Sequence, residues 1–298
     1  MTTSPATPPR DLPPPPPRPE AASKRDFGRV LVVGGSLGMA GAPGLAASAA
    51  LKSGAGLVEA VVPEPVVAIT AGFDPCVMTR GLPATSAGTF AAVATAEIVQ
   101  SIRRASALAI GPGLGRSSEV ATLVATLWRE AAIPAVFDAD GLWAVSLLEP
   151  AARLDHAGPR VVTPHAGEML RLAGRDPAGP EASDRAVLAR LAREFAAESG
   201  AVVVLKGAGT LVVGAGREAV NETGNPGMAT AGTGDVLTGV VAALLAQGME
   251  PFAAARLAAW VHGAAGDAAA AELGQISLTA RDLLERLHVG FRAATLLP

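Results

Sequence analysis

From residue 29 onward, short β-branched apolar runs alternate with longer segments of helical periodicity. The runs are RVLVVGG (29–35), GLVEAVV (56–62), ALAIG (107–111), AVFDAD (135–140), RVVTP (160–164), AVVVLKG (201–207) and TLVVG (210–214). Several are apolar without a break, as strands buried on both faces should be. Between them, apolar residues recur at helical spacing over 43–52, 89–103, 117–131 and 183–198, and after Gly234 over 235–246, 251–272 and 279–294. Strand–helix alternation of this kind builds an α/β fold with a mostly parallel central sheet flanked by helices on both faces. No internal repeat interrupts it.

The first 22 residues follow another rule. The stretch SPATPPRDLPPPPPRPEAASKR (4–25) is dominated by proline, which removes backbone donors and blocks helix. A disordered or polyproline II tail is expected over 1–22, with a single domain over 23–298. The tail could also serve as a ligand for a proline-binding module.

Composition narrows the function. The start of the chain is polar and Pro-rich, without the apolar core of a secretory signal. No run is long and charge-free enough to span a bilayer, so no membrane partner is expected. A formal net charge of -3 argues against a nucleic-acid partner. The lone cysteine, Cys76, cannot form an internal disulfide, which fits a reducing cytoplasm. Four histidines without cysteine pairs make a structural zinc site a poor fit. Tyrosine is absent, so the core must rest on Ala, Val and Leu.

In sheets of this class, ligands bind beyond the carboxyl ends of the strands. The chemically useful residues do follow the apolar runs: Gly34, Gly35 and Ser36; Gly111, Gly113 and Gly115; Asp138 and Asp140; Thr163, His165 and Glu168; Lys206 and Gly207. NPGMATAGTGDVLTG (225–239) then runs straight into a helical pattern carrying Val236, Val240, Ala243 and Leu244. Gly232 and Gly234 fall just before that helix, with Asp235 in its first turn. Free N–H groups at a helix N-terminus bind phosphate, and glycine lets the phosphate approach closely. A carboxylate beside such a pocket can take a proton from a hydroxyl being phosphorylated. Asp235 could instead serve only the helix dipole. Lys206 could be a strand-end lysine with its head in water, His165 a turn residue, and Asp138 and Asp140 caps for the segment starting at Gly141.

Taken in order, GRVLVVGGSLGMAGA, AIGPGLG, DADGL, VVTPHAGE and NPGMATAGTGDVLTG resemble the ADP/ATP-dependent NAD(P)H-hydrate dehydratases of the ribokinase-like superfamily. The resemblance covers residue 23 to the C-terminus. GTGD alone is shared with many ribokinase-like kinases, whereas its combination with TPHAGE and GGSLGMAGA is far more specific. It implies repair of hydrated NADH and NADPH: the ring hydroxyl of the (6S) hydrate is phosphorylated, and phosphate then leaves by elimination. ADP is the expected phosphoryl donor, with ATP as the other choice and Mg2+ as the accompanying metal.

On this sequence the resemblance makes Asp235 the base and Ala231, Gly232, Thr233 and Gly234 the anion hole. Lys206, Gly207, Ala208, Gly209, Thr210 and Gly234 would contact the nucleotide. The hydrate would contact Ala42, Gly113, His165 and Asp235. Glu168 lies where related kinases organise magnesium through water. A homotetramer is implied, as is a companion NAD(P)H-hydrate epimerase on a separate chain.

Three positions depart from the family pattern: Arg25 where KRDFG should carry a glycine, Trp143 where an asparagine usually follows DADGL, and Ala231 where the anion loop usually has glycine. None removes a proposed catalytic group. Two rival readings remain. A thiamine-precursor kinase of the same superfamily would share Asp235 but stop at the phosphorylated product. A non-catalytic dinucleotide-binding module is disfavoured, because GGSLGMAG lacks the G-x-G spacing and no acidic residue follows the next strand in the ribose-binding way.

Overall fold

The computed structural model describes residues 7–295. Nine strands form one sheet: β1 (Arg29–Val33), β2 (Leu57–Pro63), β3 (Met78–Leu82), β4 (Ala107–Ile110), β5 (Ala135–Phe137), β6 (Arg160–Val162), β7 (Val202–Leu205), β8 (Thr210–Gly214) and β9 (Arg217–Asn221). Their order is β3-β2-β1-β4-β5-β6-β7-β8-β9. The pairs from β3 through β7 are parallel, and β8 and β9 turn back antiparallel. The expected parallel sheet is thus present, with an antiparallel hairpin added at one edge.

The unbroken apolar runs divide between two cores, as period-two strands must. Val30, Val32, Ala107, Ala109, Val136, Val161, Val202 and Val204 face one side. Leu31, Val33, Leu108, Ile110, Phe137, Val162, Val203 and Leu205 face the other. The first side is covered by the Gly41–Lys52, Thr233–Ala246 and Pro251–Leu273 helices, and it is rich in alanine because these helices approach closely. A Cβ at Gly239 would collide with the backbone of Ala46. The second side carries the larger residues of the Ala94–Ile102, Ser118–Glu130 and Arg185–Ser199 helices, including the buried Trp128.

Strands β3 and β9 were not expected. MTRGL and REAVN are polar edge strands without an apolar run to announce them. The helix expected over 279–294 is broken into Ala280–Glu285 and Leu287–Ala294, with Arg286 at φ -104 and ψ 6 between them.

The Pro-rich start also differs from expectation over its described part. Leu12 is buried in the alanine-rich core. The Asp11 carboxylate lies 2.7 Å from Arg256, which also donates to the Asp11 carbonyl. Arg18 donates to the Gly54 carbonyl, and its guanidinium sits 3.9 Å from the centre of the Phe27 ring. Residues 9–22 thus lie on the body instead of forming a free tail. One buried leucine and two paired side chains suffice to hold a segment whose prolines have already surrendered backbone freedom. Residues 1–6 of the expected tail lie outside the described residues.

Candidate active site

Strand order reverses direction between β1 and β4, the switch point at which such sheets open a ligand crevice. The loops leaving these strands are laced together across it. Gly35 donates to the Pro112 carbonyl (2.8 Å) and Ser36 Oγ to the Gly113 carbonyl (2.8 Å). Gly113 adopts φ 62, and a Cβ there would lie 2.6 Å from the Met39 carbonyl and 3.1 Å from the Ala42 Cβ. Ala42 and Gly113 are therefore neighbours, and only glycine fits at 113.

The next loop splits two acids. Asp138 and Asp140 flank Ala139, which is held at φ 48 and ψ -119. With the Gly141 N–H donating to the Asp138 carbonyl (2.9 Å), this is a turn whose first central position normally demands glycine. Holding alanine there costs of order 1–3 kcal/mol. The turn sends the two carboxylates apart. Asp138 goes into the core, where its Oδ1 accepts from Lys206 Nζ (2.8 Å) and its Oδ2 from Thr238 Oγ1 (2.7 Å). Asp140 stays at the loop and accepts from the Gly115 N–H (3.0 Å) and from Arg116 Nε (2.8 Å). The Arg116 guanidinium also lies 5.9 Å from the Trp143 ring centre, so the departure at 143 falls beside this pair.

Asp138 is 1 % exposed. Burial opposes its ionisation, but the Lys206 ammonium and hydrogen bonds from Lys206, Thr238 and Thr163 outweigh it and hold the carboxyl below its ordinary range. Burial likewise opposes the Lys206 charge, and Asp138, Glu168 and Asp235 together hold its pKa up. Lys206 is thus the shared counter-ion of three carboxylates.

After β6, His165 caps the Ala166–Leu172 helix. Its Nδ1 accepts from the Gly167 N–H (3.1 Å), and Glu168 Oε2 accepts from the His165 N–H (2.8 Å), a reciprocal capping box. His165 is thereby the Nε2–H tautomer, its pKa lowered by burial against the pull of Glu168. The turn role for His165 is present, and Nε2 of the same ring lies 3.4 Å from Glu168 Oε1. Glu168 also stands 3.6 Å from Lys206 Nζ.

After β7, the Lys206–Thr210 loop leaves Gly207, Ala208 and Gly209 exposed. Gly207 (φ 134) and Gly209 (φ 63) give it its shape. Its backbone is held by Arg185, whose guanidinium donates to the carbonyls of Leu205 (3.2 Å), Lys206 (3.2 Å) and Gly209 (2.6 Å). Sequence reasoning missed Arg185, which lies in the first turn of a helix and carries no motif.

The glycine loop closes the site. Gly232 is left-handed at φ 91 and begins the Thr233–Ala246 helix, which has no side-chain cap. Its first N–H groups are therefore open to an anion. A Cβ at Gly234 would lie 3.3 Å from Lys206 Nζ and 3.6 Å from Asp138 Oδ2, so the loop passes against the buried ion pair. Asp235 is half-buried one residue on. Burial, then the nearby Asp138 charge, pushes its carboxyl up from 3.8 to about 7, against the pull of Lys206. A carboxylate poised near neutrality suits proton abstraction far better than dipole compensation, which favours a depressed pKa.

The structure thus brings Asp138, His165, Glu168, Lys206, Gly234 and Asp235 into one electrostatic unit, with Ala42 and Gly113 at the adjoining switch point. Among the described residues no three His, Cys, Asp or Glu side chains form a metal cage.

A mostly parallel sheet whose carboxyl edge carries a glycine-rich loop, an uncapped helix start and a raised aspartate is a ribokinase-like protein. The profile of the NAD(P)H-hydrate dehydratase family matches residues 30–288. The chain belongs to that family. It is 47% identical over 273 residues to a bifunctional NAD(P)H-hydrate repair enzyme of Moorella thermoacetica, covering 91% of this chain and 51% of the relative. It is 38% identical over 283 residues to the ADP-dependent (S)-NAD(P)H-hydrate dehydratase of Neisseria meningitidis serogroup B, covering 91% of this chain and 89% of that one. The ADP/ATP-dependent NAD(P)H-hydrate dehydratase of Bacillus subtilis superposes with a TM-score of 0.77 at 28% identity, covering 94% of each chain. The chain spans about half the length of the bifunctional relatives it matches.

Proposed function

We propose that the chain restores NADH and NADPH from their (6S) hydrates in an ADP-dependent dehydration. The observation that carries this reading is Asp235: a half-buried carboxyl raised to about 7, in the first turn of a helix with open N–H groups, beside Lys206. Family membership supplies the substrate class.

Asp235 would take the proton of the ring hydroxyl. The oxygen then accepts a phosphoryl group from ADP, leaving AMP. Phosphorylation turns a poor leaving group into a good one. The ring C–O bond breaks, inorganic phosphate departs, a ring proton is lost and the reduced nicotinamide returns. The N–H groups of Ala231 to Gly234 would hold the phosphoryl group in flight. Lys206, Gly207, Ala208, Gly209 and Thr210 would hold the nucleotide. Ala42 and Gly113, which the fold makes neighbours, would admit the hydrate against bare backbone, with the His165 ring, whose Nε2 also lies 3.4 Å from Glu168 Oε1, as its polar contact.

The Bacillus subtilis relative was crystallised with ATP and Mg2+. The residues here fit a magnesium ion carried by phosphates and water, with Glu168 as its protein partner through water. The carboxylate of Asp138 is committed to Lys206 and Thr238, and no cage exists among the described residues. The ion would supply positive charge where the phosphoryl group transfers.

Residues 23–298 would act as one dehydratase domain, in the cytoplasm and as a homotetramer. An NAD(P)H-hydrate epimerase would work beside it as companion. Incubation with NADH hydrate and either ADP or ATP tests the reading. Recovery of reduced-nicotinamide absorbance with stoichiometric AMP and phosphate is expected with ADP. Failure of recovery with both nucleotides rejects it, and phosphorylated hydrate accumulating without recovery would make the chain a kinase.

A further inference from the structure

The carbonyl of Thr233, the first residue of the anion-loop helix, lies 2.8 Å from Nε2 of His262. His262 is buried at 9 % exposure in the Pro251–Leu273 helix. A backbone carbonyl only accepts, so the imidazole must donate through Nε2–H. Burial pushes its pKa down to about 4 despite that hydrogen bond, so the ring is neutral at pH 7.

The peptide joining Thr233 to Gly234 is planar and trans. Its C=O and N–H therefore point in opposite directions. A donor that pins the Thr233 carbonyl sets where the Gly234 N–H points. Hydrogen bonding at the carbonyl also polarises the amide and strengthens its N–H as a donor. Gly234 is the residue that passes Lys206 and Asp138.

The same helix seats the whole approach to this peptide. Asp267 accepts from the Gly224 N–H (2.9 Å) and from Asn225 Nδ2 (2.9 Å). Asn221 Nδ2 donates to the Ala259 carbonyl (3.2 Å), and Thr223 Oγ1 donates to the Trp260 carbonyl (3.0 Å). At Gly263 and Gly266 a Cβ would collide with Thr223 and with Met228. These positions recur at three- and four-residue spacing, so one helix face is shaped to carry the 221–233 strap. His262 is the member of that helix bonded to the anion loop itself.

We propose that His262 is a positioning residue for phosphoryl transfer, whose Nε2–H locks the Thr233–Gly234 peptide so that the Gly234 N–H is aimed at the phosphoryl group. The reaction it serves rests on the dehydratase reading, but the anion it helps to hold does not.

The test compares His262→Leu, His262→Gln and His262→Asn. Glutamine places an N–H close to where Nε2 stands, while asparagine is polar but too short to reach the carbonyl. The measurements are kcat, both KM values, the Kd of ADP by calorimetry, and Tm. The Leu and Asn variants should lose about 10- to 100-fold in kcat and bind ADP several-fold more weakly, with the hydrate KM within about twofold. The Gln variant should recover both to within about fivefold of wild type. A folded Leu or Asn variant with kcat and ADP Kd within twofold of wild type would overturn the proposal. So would a Gln variant as impaired as the other two, since packing alone would then explain the loss. Should the wild type repair no hydrate, the dehydratase reading fails, and the ADP titrations alone decide the role of His262.

Discussion

Replacing Asp235 with asparagine should yield a protein that is both more stable and nearly inactive. The side chain keeps its shape and loses only its charge. In the folded chain the carboxyl holds its proton to about 7, against an ordinary value of 3.8. Each unit of that difference is worth about 1.4 kcal/mol, so keeping the ionised group in place costs the fold about 2–4 kcal/mol above neutrality, after allowance for solvent screening. The sign follows from proton counts. Between about pH 4 and pH 7 the unfolded chain has released this proton and the folded chain has not, so wild-type stability falls as pH rises through that window and levels off above it. Asparagine carries no such dependence. The variant's advantage should therefore be small at pH 4, widen to pH 7, and reach several degrees of Tm at pH 8.

Activity should move the other way. An amide cannot accept the hydroxyl proton, and kcat for hydrate repair should fall by about 10²–10⁴-fold. ADP should still bind, since the proposed anion hole is backbone. In the wild type, kcat/KM should show an acid limb with an apparent pKa near 7. The assays are absorbance recovery from NADH hydrate and thermal melts from pH 4 to 8. A well-folded Asp235→Asn with kcat within about threefold of wild type would refute the base, whatever its stability. A stability gap that does not widen with pH would refute the raised carboxyl.

Arg185→Leu should leave the carbonyls of Leu205, Lys206 and Gly209 without their donor and raise the nucleotide KM about tenfold with the hydrate KM little changed; steady-state kinetics with each substrate varied separates the two. Arg160 donates to the carbonyls of Trp128, Ala131, Ile133 and Pro159 with burial pushing its pKa down to about 10, so Arg160→Met should cost about 3–5 kcal/mol in urea melts with activity per folded molecule retained. Leu12→Ala should cost about 2–3 kcal/mol, a result a free tail would not give, and a Tm equal to wild type would show that residues 9–22 detach in solution.

What was legible in the sequence follows from which forces write themselves into local pattern. Burial on both faces leaves an apolar run, and all seven runs read in the sequence contain strands. Edge strands bury little, and β3 and β9 left no such trace. The candidate site was readable wherever a residue type is chemically unusual after a strand: Lys206, His165, Glu168 and the glycines around Asp235. Its supporting layer was not, because its logic is three-dimensional. Arg185 acts on a loop 20 residues away and His262 on a carbonyl 29 residues away, and neither stands in a motif. Asp138 was visible, but whether it capped a helix or paired with Lys206 depended on the turn at Ala139. That strained turn is the most informative of these features. A glycine at 139 would adopt the same φ at no cost, so the strain persists only because the contacts on either side over-determine it. Alanine is held there by Asp138 on Lys206 and Thr238 and by Asp140 on the Gly115 N–H and Arg116, and the Asp138 charge so placed adds to burial in raising the Asp235 carboxyl.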